Sequence, residues 1–233
     1  MLDDSCINES LYKCLEKFEG ATPGNNLKER EDSLIKPFTL LAKKLLYGGY
    51  FEVRNEYRIY IHTVEFYYHE EIEHPEPRIL DEKVYHRNGK FKDPIDPRVV
   101  PYFPLMTLHS HWSGFDITFE NGTEGHYYRA SALIRKYAVY DINAMYKGEK
   151  GCYVKWVKTD KEERYDKSNK PIWDNRSSYL QYYLNGFSIN GDYSGITWQK
   201  ENNPDYSIVP IPDYRQNIDY DKTIGRKWAF KRK

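Results

Sequence analysis

The sequence predicts an α+β fold: a single domain over residues 1–233, built on a curved, largely antiparallel β-sheet with flanking helices. Three observations carry that expectation. Helical spacing is confined to residues 1–49 and a short stretch after Ser177, whereas β-branched and aromatic runs dominate from Tyr50 onward. Turn signals at Arg54-Asn55-Glu56, at SG (113–114) and at NGTEG (121–125) separate those runs. Finally, 23 Tyr and 5 Trp among 233 residues supply apolar area for one substantial core, although mean hydropathy is only −0.85.

The elements follow in order. Residues 8–18 have helical spacing, with Leu11, Cys14, Leu15 and Phe18 on one face and Gly20 closing the segment. ATPGNN (21–26) breaks the chain, and a second helix is expected from near Ser33, with Pro37 in its first turn, through FTLLAKKLL to Gly48 and Gly49. FEV (51–53) and YRIYIHTVEFYYH (57–69) read as a hairpin with a long second strand. Residues 70–103, rich in Pro and charge, read as a long surface excursion of the kind that often carries function. Strands return at 105–111, 115–120 and 126–141. DKEERYDKSNKP (160–171) reads as a polar loop, and SSYLQYYLNGF (177–187) as a helix stopped at Gly186. The tail GRKWAFKRK (225–233) holds five basic residues interleaved with Trp228 and Phe230.

Composition excludes several classes. With 35 basic and 35 acidic residues there is no global field drawing the chain onto nucleic acid or membrane, so a phosphate-bearing partner would have to meet a local basic patch. No run approaches ~18 consecutive apolar residues, and no cationic segment leads into an apolar one at the amino terminus. Cys6, Cys14 and Cys152 stand in no metal spacing, and their odd number argues against a disulfide framework. A soluble cytoplasmic monomer is expected.

Five segments in order resemble the methylpurine (3-methyladenine) DNA glycosylases. LAKKLL (41–46) leads into a hairpin, and TVEFYY (63–68) is similar to that family's I-V-E-T-E-A-Y strand. EKVYH (82–86) resembles its acidic-x-x-x-His. TLHSHWSGFDITF (107–119) with ASALIR (130–135) matches a strand pair ending in L-I/L-R. SSYLQYYL (177–184), followed by IDYDKTIGRKWAF (218–230), resembles its late helix and its I-D-Y and W-R-F motifs. The resemblance implies a base-excision repair enzyme that flips a damaged purine out of DNA, stacks it on aromatic rings and hydrolyses the glycosidic bond without a cofactor.

Carried over residue by residue, the resemblance departs from the family where the catalytic glutamate stands. The first Glu of E-T-E falls on Glu65 and the second on Tyr67, and a phenol with an ordinary pKa near ~10 is a poor base. Glu65 and Tyr67 share a strand face, so Glu65, displaced roughly 6–7 Å along the strand, could point into the same pocket and would be the base of an active enzyme, with Tyr67 among the base-binding residues. Its bland alternative is a carboxylate bonded to backbone or to Arg135. Glu70 and Glu71 follow it, and a solvated loop is the expectation for both. His69 falls on a pocket tyrosine and His86 on a pocket histidine, while His111, with Trp112 or Ser113 after a one-residue shift, falls near a second stacking aromatic. Arg135 would orient water and carboxylate, or form an ordinary ion pair. Arg226, Lys227, Lys231, Arg232 and Lys233 would contact DNA phosphates, or form a solvated terminus.

Two rival readings stay open. His109-x-His111 with Asp116, then Glu120 and Gly122, is similar to the first cupin motif and would hold a divalent metal ion, though the leading glycine is lacking and no second motif is found. A tyrosine-lined cleft could also bind a nucleobase or sugar without chemistry.

Overall fold

The computed structural model describes residues 4–87, 101–111, 114–157, 162–165, 170–183 and 195–233. It is α+β, with short helices packed on a curled antiparallel sheet. A 3-10 turn, Asp4–Asn8, precedes helix α1 (Leu11–Glu16), whose first turn is capped by the Ser10 hydroxyl accepting from the Lys13 N–H. Leu11, Cys14, Leu15 and Phe18 are buried, as their spacing predicts. Helix α2 (Leu27–Ser33) was not anticipated; Asn26 caps it, and its few apolar residues gave no periodic signal. Helix α3 (Ile35–Tyr47) carries Pro37 in its first turn and ends at Gly48. Cys6 and Cys14 are disulfide-bonded, with Cα atoms 5.3 Å apart, while Cys152 is a buried free thiol, so the odd count conceals one local bridge.

Strands β1 (Gly49–Val53) and β2 (Tyr57–Glu70) form the expected hairpin, closed through Arg54 and Asn55, both in the left-handed region. The other strands are β3 (Leu108–His111), β4 (Gly114–Thr118), β5 (Tyr128–Tyr146), β6 (Glu149–Val157), β7 (Glu162–Tyr165), β8 (Ile196–Lys200), β9 (Ile211–Asp213) and β10 (Ala229–Lys231). Strand β7 replaces part of the expected polar loop, because Glu162–Tyr165 pairs with Val154–Val157. Part of the basic tail, Ala229–Lys231, is likewise a strand. The helix expected from Ser177 is a 3-10 turn, Ser177–Tyr182, and its expected stop at Gly186 lies outside the described residues.

The long strands β2 and β5 pair along thirteen registered positions and form the spine. The order is β3-β4-β5-β2-β1-β8, with β6 on the far half of β5, and β10 with β9 on the near half of β2. The register of β2 shifts between Ile61 and Val64. Two compensating irregularities there, one residue skipped first in β2 and then in β5, restore the register but exchange the faces of the strand. Before the shift the odd-numbered Ile59 and Ile61 face the core; after it the even-numbered Val64, Phe66 and Tyr68 do. Phe66 stacks on Phe38 of α3 at 4.6 Å, with Trp228 edge-on to Phe38 at 5.4 Å. Glu65, Tyr67 and His69 are thereby turned to the opposite face. Among the described residues no helix is long and apolar enough to cross a membrane.

Candidate functional site

That opposite face is polar and nonetheless buried. Register places Leu133, Ser131 and Arg129 of β5 opposite Glu65, Tyr67 and His69, then Asp116 and Thr118 of β4 opposite Leu133 and Ser131, then His109 of β3 opposite Asp116. Loop residues 79–86 and residues 213–221 lie over it, and Tyr67, Leu133, Val84 and Ile218 form a small apolar seal. Burying so many polar groups is tolerable only where partners replace water.

The face has two ends. At the first, both carboxylate oxygens of Glu65 are engaged. The Gln216 backbone N–H donates to Oε1 at 2.6 Å, the Tyr67 hydroxyl donates to Oε2 at 2.9 Å, and Arg135 Nε lies 3.5 Å from Oε2. Arg135 also donates to the Gln216 side-chain oxygen at 2.6 Å, closing a ring around the carboxylate. Burial raises the Glu65 pKa above the ordinary glutamate value, although Arg135, the Gln216 N–H, Tyr67 and Arg215 all pull it down. Burial, reinforced by the Glu65 charge, holds the Tyr67 hydroxyl far above the usual phenol range, so it remains a donor. Glu65 lines a cavity of about 460 Å³ together with Tyr214, Asn217, Lys222 and Lys231.

Arg215 holds the covering segment in place. It donates to both oxygens of Asp221 at 2.6 and 2.7 Å, to Asp81 of the loop, and to the Phe66 carbonyl at 3.3 Å. Its guanidinium sits 4.7 Å from the Tyr67 ring. Burial opposes its charge, but Asp81 and Asp221 more than offset that and keep it fully protonated.

At the second end, His69 accepts the Asp81 N–H at Nδ1, 3.1 Å, and burial lowers its pKa so that the neutral ring is retained. Arg129 bonds Glu71 at 2.7 Å and Glu120 at 3.0 Å beneath the Tyr102 ring. His86 contacts Glu120 and lies edge-on to Phe103 and His109 at 5.7 and 5.5 Å. His69 is four residues along the strand from Glu65, about 13 Å. The structure therefore joins Glu65, Tyr67 and Arg135, and gathers His69, His86 and His109 elsewhere on the same face.

Comparison with protein-family models, with curated proteins and with solved structures finds no match to this chain.

Other expectations land differently. Glu70 and Glu71 are buried, not solvated: Glu70 sits on the core face with Arg30 at 2.6 Å, the Tyr68 hydroxyl at 2.9 Å and the Ile79 N–H at 2.6 Å. The tail is committed inward. Arg226 is buried against Glu31 and lies 4.3 Å over the Trp228 ring. Arg232 donates to the Ile61 carbonyl at 3.1 Å, Lys231 to Asp213 at 2.9 Å, and the Lys233 N–H to the Tyr47 hydroxyl at 3.1 Å; Lys227 sits 5.4 Å over the Tyr214 ring and remains exposed. The backbone of His111 pairs with Gly114, while Trp112 and Ser113 lie outside the described residues. Among the described residues there is no group of three or more His, Cys, Asp or Glu side chains disposed to hold a metal ion. Sequence reasoning missed Asp81, Arg215, Gln216 and Asp221. Asp81 stands in the 70–103 excursion, and Arg215, Gln216 and Asp221 in a short polar stretch near the end of the chain; no motif or spacing marks them.

Proposed function

We propose that this chain is a nucleobase-recognising N-glycosylase, on a scaffold like that of the methylpurine DNA glycosylases, with Glu65 as its general base. One observation carries the reading. A buried carboxyl with a raised pKa is held by Tyr67, Gln216 and Arg135 at the wall of an open cavity large enough for a small ligand, within the range of about 300–1,000 Å³ typical of such sites. The curved antiparallel sheet and the helix leading into the first hairpin are consistent with such a scaffold.

The chemistry uses groups already placed. Glu65 takes a proton from water, the water oxygen bonds to C1′, and the C1′–N bond breaks. Its electron pair leaves on the base, which then takes up a proton. A base whose pKa is raised toward the working pH removes a proton more effectively than an ordinary carboxylate. Arg135 is a positioning residue: it steadies Glu65 and Gln216, where the resemblance would have it orient water. Tyr67 stands where the family has its catalytic glutamate and here donates to the carboxylate instead.

The test is release of hypoxanthine from an inosine unit in a duplex, in a single strand and in free nucleotides, with and without EDTA. Release that resists EDTA and is abolished in Glu65→Gln, with binding kept, is the expected result. Undiminished release by Glu65→Gln would remove Glu65 from the mechanism; binding without release by the native chain would leave a recognition protein that does no chemistry. The metal reading keeps one supporting observation, the pairing of His109 with Asp116 across β3 and β4 on the face that the pattern predicts. A stoichiometric metal and activity lost to EDTA would favour it.

A further inference from the structure

We infer that the Glu65 cavity takes a free nucleoside monophosphate, with Lys222 and Lys231 reading the phosphate, and not a base presented by duplex DNA. This rests on the reading of Glu65 as the base in glycosidic hydrolysis and narrows its substrate. The cavity is rimmed by two different chemistries. Glu65 and the half-buried ring of Tyr214 form one wall, suited to a sugar and the flat face of a base. Lys222 and Lys231 stand on the rim, and Lys227 lies over the other partner of that wall, Tyr214.

Both rim lysines are available. Lys222 is 63% exposed and reaches Asp219 only at 3.2 Å; Lys231 is 41% exposed in a solvated pair with Asp213. Exposed pairs of this kind contribute little, so an arriving phosphate competes with them at small cost. Asn217, in the left-handed region at φ 62°, lies beside the Gln216 N–H that holds Glu65 and lines the same cavity as Lys222 and Lys231.

Affinity for duplex DNA instead grows with the number of phosphates neutralised. Of the tail cations, both arginines are withdrawn: Arg226 is buried on Glu31 and Arg232 is pinned to the Ile61 carbonyl, and the formal net charge is zero. What remains beside Glu65 is enough positive charge for one phosphate group.

The experiment is calorimetric titration of the full chain with inosine 5′-monophosphate, inosine and an inosine-containing duplex, alongside Lys222→Ala and Lys231→Ala. The monophosphate should bind at least tenfold more tightly than inosine. Each lysine variant should lose about fivefold or more for the monophosphate and nothing for inosine. Equal binding of monophosphate and inosine overturns the phosphate assignment, as does unchanged binding by both variants. Tighter binding of the duplex than of the monophosphate overturns the choice of substrate. Lys222 is exposed on a six-residue helix, so its variant tests the assignment even if Lys231→Ala unfolds. Base release is scored separately: lysine-dependent binding without hydrolysis supports this substrate class while taking down Glu65 as a base.

Discussion

Replacing Tyr67 with Phe removes one atom, the hydroxyl that donates to Glu65 at 2.9 Å, and keeps the ring beneath Arg215 at 4.7 Å. Glu65 is 2% exposed and touches solvent only through the cavity that it lines, so water makes good the lost donor only in part. A hydrogen bond to a charged acceptor contributes about 1.5–3 kcal/mol, and one between neutral groups about 1 kcal/mol. Tyr67→Phe should therefore destabilise the fold by about 2 kcal/mol at pH 8, where Glu65 is ionised, but by only about 1 kcal/mol near pH 4, where it is protonated. Because the folded Glu65 pKa is raised, this group's contribution is fully present below the ordinary glutamate value and is lost as pH rises through the folded pKa. Removing the donor raises that pKa further, so the variant falls away from the native chain as pH increases. Urea denaturation of both proteins at several pH values measures it. The same loss at pH 4 and pH 8, or a larger loss at pH 4, would refute the placement of the hydroxyl on an ionised Glu65. In turnover, the acidic limb of the pH profile should move to higher pH.

Three further outcomes follow from buried charge. Arg215→Met strands Asp81 and Asp221 without their cation and should cost about 3–5 kcal/mol. Thermal unfolding measures that cost, and hydrogen exchange should show the Gln216 amide losing protection as the covering segment loosens. Arg226→Ala should cost a similar amount, leaving Glu31 unpaired, while the salt dependence of nucleic-acid binding stays unchanged; a shallower salt slope with intact stability would return Arg226 to a phosphate contact. Lys44 is buried, bonded to the Ile7 and Glu9 carbonyls, and burial, with Lys200 nearby, lowers its pKa to about 8. Between that value and the ordinary 10.5 the unfolded chain binds a proton that the folded chain has released, so stability should rise with pH across this window in the native chain and less so in Lys44→Met.

The fold was legible wherever one residue type recurred at one period. The core face of α1, the hairpin turn at Arg54-Asn55 and the length of β2 all follow from local pattern. Pattern failed where pairing partners decide. Glu162–Tyr165 has the composition of a loop and becomes β7 only because β6 offers it an edge. Lys231 and its neighbours read as a solvated tail until β10 is seen to pair with β2 and β9, which draws Trp228 and Phe230 into the core.

The site divides along the same line. Glu65 and Tyr67 were legible because strand alternation puts them on one face; Arg135, expected at a strand end, lies in the middle of β5 and reaches Glu65 from the register irregularity there. The register shift after Ile61 is what gives that alternation its consequence. Without that paired irregularity in β2 and β5, Glu65 and Tyr67 would continue the core-facing row of Ile59 and Ile61, and Val64 and Phe66 would be left on the polar face. The alternation from Ile61 to Val64 skips a beat in the sequence itself, apolar at 59, 61, 64, 66 and 68, so the bulge was written there, although its effect on the site was not. Gln216 and Arg215 carried no such mark. They reach Glu65 and Tyr67 from 150 residues away through backbone and guanidinium geometry that any sequence spacing would permit. A carboxylate whose character depends on a distant amide and a distant guanidinium can be located by its strand, but its chemistry becomes visible only when the chain has folded around it.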